Sequence, residues 1–163
     1  MTQRSDYWKK LNSEQAGKDP CYKALLKTLQ GIHPGSVLLL PSADDEEIDL
    51  LLSRGRLFSH KKIRMFPGSR WRCHVNAAFL WIMEQASIAT GFAYQNSGEG
   101  GWFSHSWGID STGKIIETTH KFQDYWGVEL NRAESQKFAL EHIFPMFEIN
   151  KLQYEKVRRA MKT

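Results

Sequence analysis

Residues 90–119 read TGFAYQNSGEGGWFSHSWGIDSTGKIIETT, and their punctuation decides the fold class. Three strand-like runs, 90–96, 102–110 and 114–119, are separated by Ser97-Gly98-Glu99-Gly100-Gly101 and by Ser111-Thr112-Gly113. Aromatic and β-branched runs bounded by such clusters predict an antiparallel meander. The second connection also sets register. A two-residue turn at Ser111-Thr112 would put Glu117 on the wrong side for His105. A three-residue loop with Gly113 left-handed pairs Asp110 with Lys114, so that Trp107 faces Glu117 and His105 faces Thr119. His105 and Glu117 then become diagonal neighbours on one face, roughly 7 Å apart at the backbone, which a glutamate can span.

Upstream, Pro67-Gly68-Ser69 reads as a turn into a helix in which Val75, Phe79, Ile82, Met83 and Ala86 recur at offsets of 4, 7, 8 and 11. That spacing predicts a buried apolar face three turns long. Earlier still, Asp19-Pro20 forms an N-cap and first helical position, Tyr22, Leu25, Leu26 and Leu29 share a face, and Gly31 supplies the stop. A short buried strand is expected at 37–40. The acidic run Asp44 to Glu47 opens a helix that Arg54-Gly55 ends, because a helix N-terminus favours negative charge. Residues 61–66 fit either a strand or irregular chain. Downstream, Asn131 and Glu134 have capping-box spacing for a helix reaching about His142, and a basic helix is expected at 152–161. Residues 1–18 are polar and are expected to form a flexible N-terminal arm ahead of a single α+β domain over 19–163.

Composition bounds the function. The 163 residues, 41% hydrophobic and 25% charged, suit one domain with a substantial core, and two cysteines are too few for a disulfide framework. The longest uncharged apolar runs, such as 37–40 and 75–83, fall short of the roughly 18–20 residues that a membrane span needs. A polar N-terminus without an apolar stretch predicts a cytoplasmic, reducing setting with free thiols. The net charge of +4 tolerates an anionic partner without requiring one.

In chain order, a cysteine opens the buried helix, a histidine follows on a strand and an acid on the next: Cys73, His105, Glu117. Thiol catalysis needs a thiolate, an imidazole to move the proton and a third group to orient that imidazole. A helix N-terminus lowers a thiol pKa and also offers N–H groups to an oxyanion. Trp107, beside the histidine, is expected to wall the cleft, and Trp102 and Asn76 are further candidates for substrate contact. Asp110 and Asp124 are alternative third members. A helix turns about 100° per residue, so His74 points away from its neighbour and reads as a polar contact at the helix start. Zinc on Cys73, His74, His105 and His120 is disfavoured by the adjacent pair, so no metal or cofactor is expected.

The segments Arg72-Cys73-His74-Val75-Asn76, His105-Ser106-Trp107 and Ile115-Ile116-Glu117-Thr118-Thr119 resemble the Cys-His-acid core of the transglutaminase-like, papain-related superfamily. This superfamily includes transglutaminases, peptide N-glycanases, arylamine acetyltransferases and several protease and deamidase groups. The resemblance covers about residues 69–128, and Glu117 stands where the family usually has aspartate. It implies a papain-like or transglutaminase-like α+β fold, a helix packed on a small antiparallel sheet with flanking helices. It also implies thiol-dependent acyl chemistry on an amide-containing substrate such as a protein or peptide. The contrasting reading is a non-catalytic module binding protein or nucleic acid through the cleft or through Lys151, Lys156, Arg158, Arg159 and Lys162 of the terminal helix.

Overall fold

The computed structural model describes residues 3–39, 45–58, 63–96 and 100–145. Helix α1 (Gln3–Lys18) leads into α2 (Pro20–Ile32), strand β1 (Val37–Leu39) and α3 (Asp45–Arg54). Short strands β2 (Arg56–Phe58) and β3 (Ile63–Met65) precede α4 (Cys73–Ile82). Strands β4 (Ser87–Gln95), β5 (Gly101–Ile109), β6 (Ile115–Glu117) and β7 (Asp124–Glu129) follow, and a last helix, α5, covers 132–145. The chain is α+β, and none of its described helices is long and apolar enough to cross a membrane.

Local chemistry sets the boundaries as expected at several points. The Asp19 carboxylate accepts from the backbone N–H groups of Cys21 and Tyr22, with Pro20 at the first helical turn. Asn131 and Glu134 exchange reciprocal side-chain to backbone bonds at the start of α5. The β5–β6 turn has the expected register, with Ile109 opposite Ile115, the Asp110 N–H on the Lys114 carbonyl and Gly113 at φ 77°.

The sheet is larger than a meander. Its seven strands run β2-β7-β4-β5-β6-β3, with β1 added parallel to β5 and β3 parallel to β6. β2 and β3 stand at opposite ends of that path yet are joined by only four residues. Laid flat, six strands would hold their outer members ~24 Å apart, whereas the chain from Phe58 to Ile63 reaches at most ~18 Å. The sheet therefore curls. On its concave side Phe58, Ala89, Ala93, Trp107, Ile109, Ile115, Phe122 and Tyr125 form a small aromatic core against which Ile63 packs. Ala89 and Ala93 of β4 lie on this side, and their small size leaves room for the rings. The convex side carries the helices, with Tyr22, Leu25, Leu51, Ala77 and Phe138 packed on Phe92, Trp102 and Trp126.

Three expectations change. Residues 1–18, expected as a flexible arm, contain α1, which is held by the buried Asn12: its side-chain amide donates to the Leu38 carbonyl and its oxygen accepts from the Leu38 N–H. The apolar face expected to be buried on α4 is open, with Phe79, Ile82 and Met83 39%, 52% and 48% exposed. Asn76, Ala77, Ala78 and Leu80 are buried instead. The segment CHVNAAFLWI is apolar almost all round, so its periodicity carries no phase, and the small alanines let the helix approach the sheet closely. Third, β7 was not expected, and it is inserted between β2 and β4. The basic helix expected at 152–161 lies outside the described residues, as do residues 97–99 of the glycine-rich connection.

Gly127 of β7 lies opposite Gly91 of β4. A methyl group at Gly127 would run into the Thr90 carbonyl and come within 3.0 Å of the Trp107 ring. Gly127→Ala should thus destabilise the protein by about 1–3 kcal/mol, read as a lower urea midpoint. An unchanged midpoint would show that the curl tolerates the extra methyl.

Candidate active site

The site occupies a break in the pairing of β5. β4 covers one edge of β5 along its whole length. On the other edge β1 pairs over Gly101–Phe103 and β6 over Gly108–Ile109, so among the described residues no strand lies beside Ser104 to Trp107. The first turn of α4 fills that break. Successive residues of a strand point to opposite faces, so His105 faces the concave core and Ser106 the helices. Cys73 lies close enough to His105 for the two to shift each other's pKa, and Nδ1 of His74 lies 2.7 Å from Ser106 Oγ. The helix start therefore straddles the sheet edge and addresses both faces at once.

His105 Nε2 is 2.9 Å from Glu117 Oε2, which leaves Nδ1 to face the thiol. Glu117 has no exposed surface. Its Oε2 also accepts from the Tyr125 hydroxyl at 2.9 Å, and its Oε1 accepts from the Thr118 and Thr119 N–H groups and the Thr119 hydroxyl. The Tyr125 hydroxyl accepts in turn from the Phe122 N–H. Around the imidazole stand Trp107, near-parallel at 6.1 Å between centroids, and Phe122 at 4.7 Å.

Burial opposes charge on all three members, and their contacts overcome it. Hydrogen bonds and charge from His105 and His74 lower the Cys73 thiol to about 5. Hydrogen bonds from Cys73 and Glu117, with their charges, raise His105 to about 9. The Glu117 carboxyl is held below its ordinary value by His105 and by the Thr119 donors. Tyr125 is raised, first by burial and then by the Glu117 charge, so it remains a donor. At neutral pH the centre is a thiolate–imidazolium pair backed by a carboxylate. Arg72 at the N-cap of α4 makes no side-chain capping bond, so no N-cap side chain competes for the first N–H groups of the helix.

The structure brings Cys73, His105 and Glu117 together and distributes the other candidates. Trp107 is fully buried behind the histidine, where it excludes water. Trp102, considered for substrate contact, is fully buried in the convex core with its indole N–H on Ser36 Oγ. Asn76 makes two bonds to the backbone of Ser69 and so pins the turn before α4. Asp110 organises its own exposed turn through Thr112 and Lys114, and Asp124 pairs with His33 at 2.8 Å. His120 bonds Gln95. Sequence reasoning missed Tyr125, because β7 went unassigned. His74 makes the polar contact expected at the helix start, its offset of about 100° from Cys73 matched by the alternation of His105 and Ser106. No protein-family model, curated protein or solved structure matches this chain.

Iodoacetamide at neutral pH should label Cys73 at least about tenfold faster than Cys21, because a thiolate is the nucleophile and Cys21 Sγ lies instead 3.7 Å from the Asp49 carboxylate. That lead should fade as pH falls below about 5. Peptide mapping after limited alkylation measures both, and equal labelling of the two cysteines would remove Cys73 as the nucleophile.

Proposed function

We propose that this protein is a thiol-dependent acyl-transfer enzyme acting on an amide or related bond, built on a papain-like or transglutaminase-like core. The observation that carries the proposal is the buried hydrogen bond between Glu117 and His105, beside the partly buried Cys73, whose thiol pKa His105 lowers. Further support comes from the order of parts along the chain: a cysteine opening a helix, a histidine on the second meander strand and an acid on the third.

In this mechanism the Cys73 thiolate attacks the carbonyl carbon, and the first N–H groups of α4 receive the developing oxyanion. His105 gives its Nδ1 proton to the leaving amine as the C–N bond breaks, which leaves a thioester on Cys73. Glu117, fixed by its own donors, holds the imidazole in the tautomer and orientation this requires. Water or an amine then resolves the thioester, giving hydrolysis, deamidation or transfer from one intermediate. The substrate class is a protein or peptide amide, and the free thiol suits a reducing, cytoplasmic setting.

Turnover of an activated ester or peptide amide should rise as pH passes about 5, where Cys73 loses its proton, and fall past about 9, where His105 loses its own. Glu117→Gln should keep the fold and lower the chemical rate by roughly 10² to 10⁴. His105→Ala should cost at least as much and the double variant little more, since members of one catalytic unit are not additive. Full turnover in Cys73→Ser would overturn the reading.

A further inference from the structure

We propose that His74 is a second base of this centre, serving the nucleophile that resolves the acyl-enzyme while His105 serves the thiol. The proposal rests on the acyl-transfer reading and adds a division of labour to it. Three observations carry it.

The first is orientation. Ser106 Oγ donates to Thr90 Oγ1 at 2.9 Å, and the two residues are cross-strand partners with almost no exposed surface. A serine hydroxyl has one proton. With that proton on Thr90, Ser106 is left to accept from His74 Nδ1, the arrangement this proposal requires, in which the basic lone pair falls on Nε2. A buried polar group thus partners Nδ1 of His74, as Glu117 partners Nε2 of His105.

The second is access. His105 is only 3% exposed, with the rings of Trp107, Phe122 and Tyr125 around it. His74 instead lines a cleft of about 410 Å³ on the helical side, together with Thr90, Ser104, Lys137, Phe138 and His142. The third is support. The His142 ring stacks on His74 with centroids 4.9 Å apart and planes 16° from parallel, and Phe138 meets the same imidazole edge-on. These contacts hold the ring on the helical side, one residue along the chain from the nucleophile.

The step balances without any added group. After acylation His105 is neutral, its proton having left with the amine. Water or a primary amine entering the cleft forms its bond to the thioester carbon as its proton passes to His74 Nε2. The C–S bond then breaks, the proton on His74 moves to the departing Cys73 sulfur and on to His105, and the starting thiolate–imidazolium pair is restored.

The test uses p-nitrophenyl acetate as acyl donor with the full chain. In His74→Gln the rapid release of p-nitrophenol from the first turnover should persist. Steady-state turnover should fall by roughly 10- to 100-fold, with acetylated Cys73 accumulating by intact-mass spectrometry. Ser106→Ala, a smaller change, should show the same pattern more weakly. Free imidazole should restore turnover in His74→Ala, and hydroxylamine, a nucleophile needing less base assistance, should narrow the His74→Gln deficit. If first-turnover release and steady state fall in parallel in both His74→Gln and Ser106→Ala, or imidazole restores nothing, His74 is no base for the second step. A wild-type protein that never acquires the acetyl group overturns the acyl-transfer reading itself, and this proposal with it.

Discussion

A carboxylate sealed from water costs several kcal/mol unless nearby donors replace its hydration, and Glu117 imposes that requirement on the architecture around it. Its donors come from three places: His105 on β5, Tyr125 on β7, and Thr118 and Thr119 immediately beyond β6. β6 ends at Glu117 itself, where the chain stops pairing and turns its next two N–H groups back onto the side chain. β7 must sit where a tyrosine can reach across the concave core. The curl of the sheet satisfies the charge as well as packing the rings.

The enclosed side and the open side of the centre divide physical roles. Within the concave core Trp107, Phe122 and Tyr125 keep water from the His105–Glu117 pair, and in such low-dielectric surroundings a hydrogen-bonded charge pair is stronger than in solvent. Thiol and imidazole can then exchange a proton without solvent reorganising around them. On the helical side His74 and His142 line an open cleft together with Lys137 and glutamates set among Leu50, Leu130 and Phe138. A helix start placed in a break between two strand pairings is what brings Cys73 to His105 on one side and His74 to Ser106 on the other.

Much of the triad was legible because it depends on one local decision. Gly113 selects the three-residue turn, the turn selects the register, and the register puts His105 and Glu117 on one face. The Asp19 and Asn131 caps were legible for the same reason, since a cap is settled within four residues. What escaped depends on distant chain. α1 has no apolar stripe, and its buried Asn12 amide bonds to β1, twenty-six residues on. The segment DYWGVE is buried over most of its length and so shows no alternation to mark it as a strand. The α4 phase was misread because nearly every position in that helix is apolar, and only the approach of Ala77 and Ala78 to the sheet decides which side is inward.

The position of β7 also governs when during synthesis Glu117 acquires its full set of donors. β2, made early, pairs with β7, which lies some 65 residues later, and β7 brings the tyrosine that completes the carboxylate's donors. A growing chain that has emerged only through β6 already carries the cysteine, the histidine and the glutamate, yet its concave side is open to water and one edge of β4 is unpaired. In that state the buried charge has neither its full set of donors nor its aromatic cover. Completion of the carboxylate's donor set is thereby coupled to synthesis of β7, and chains that stop before it lack the tyrosine.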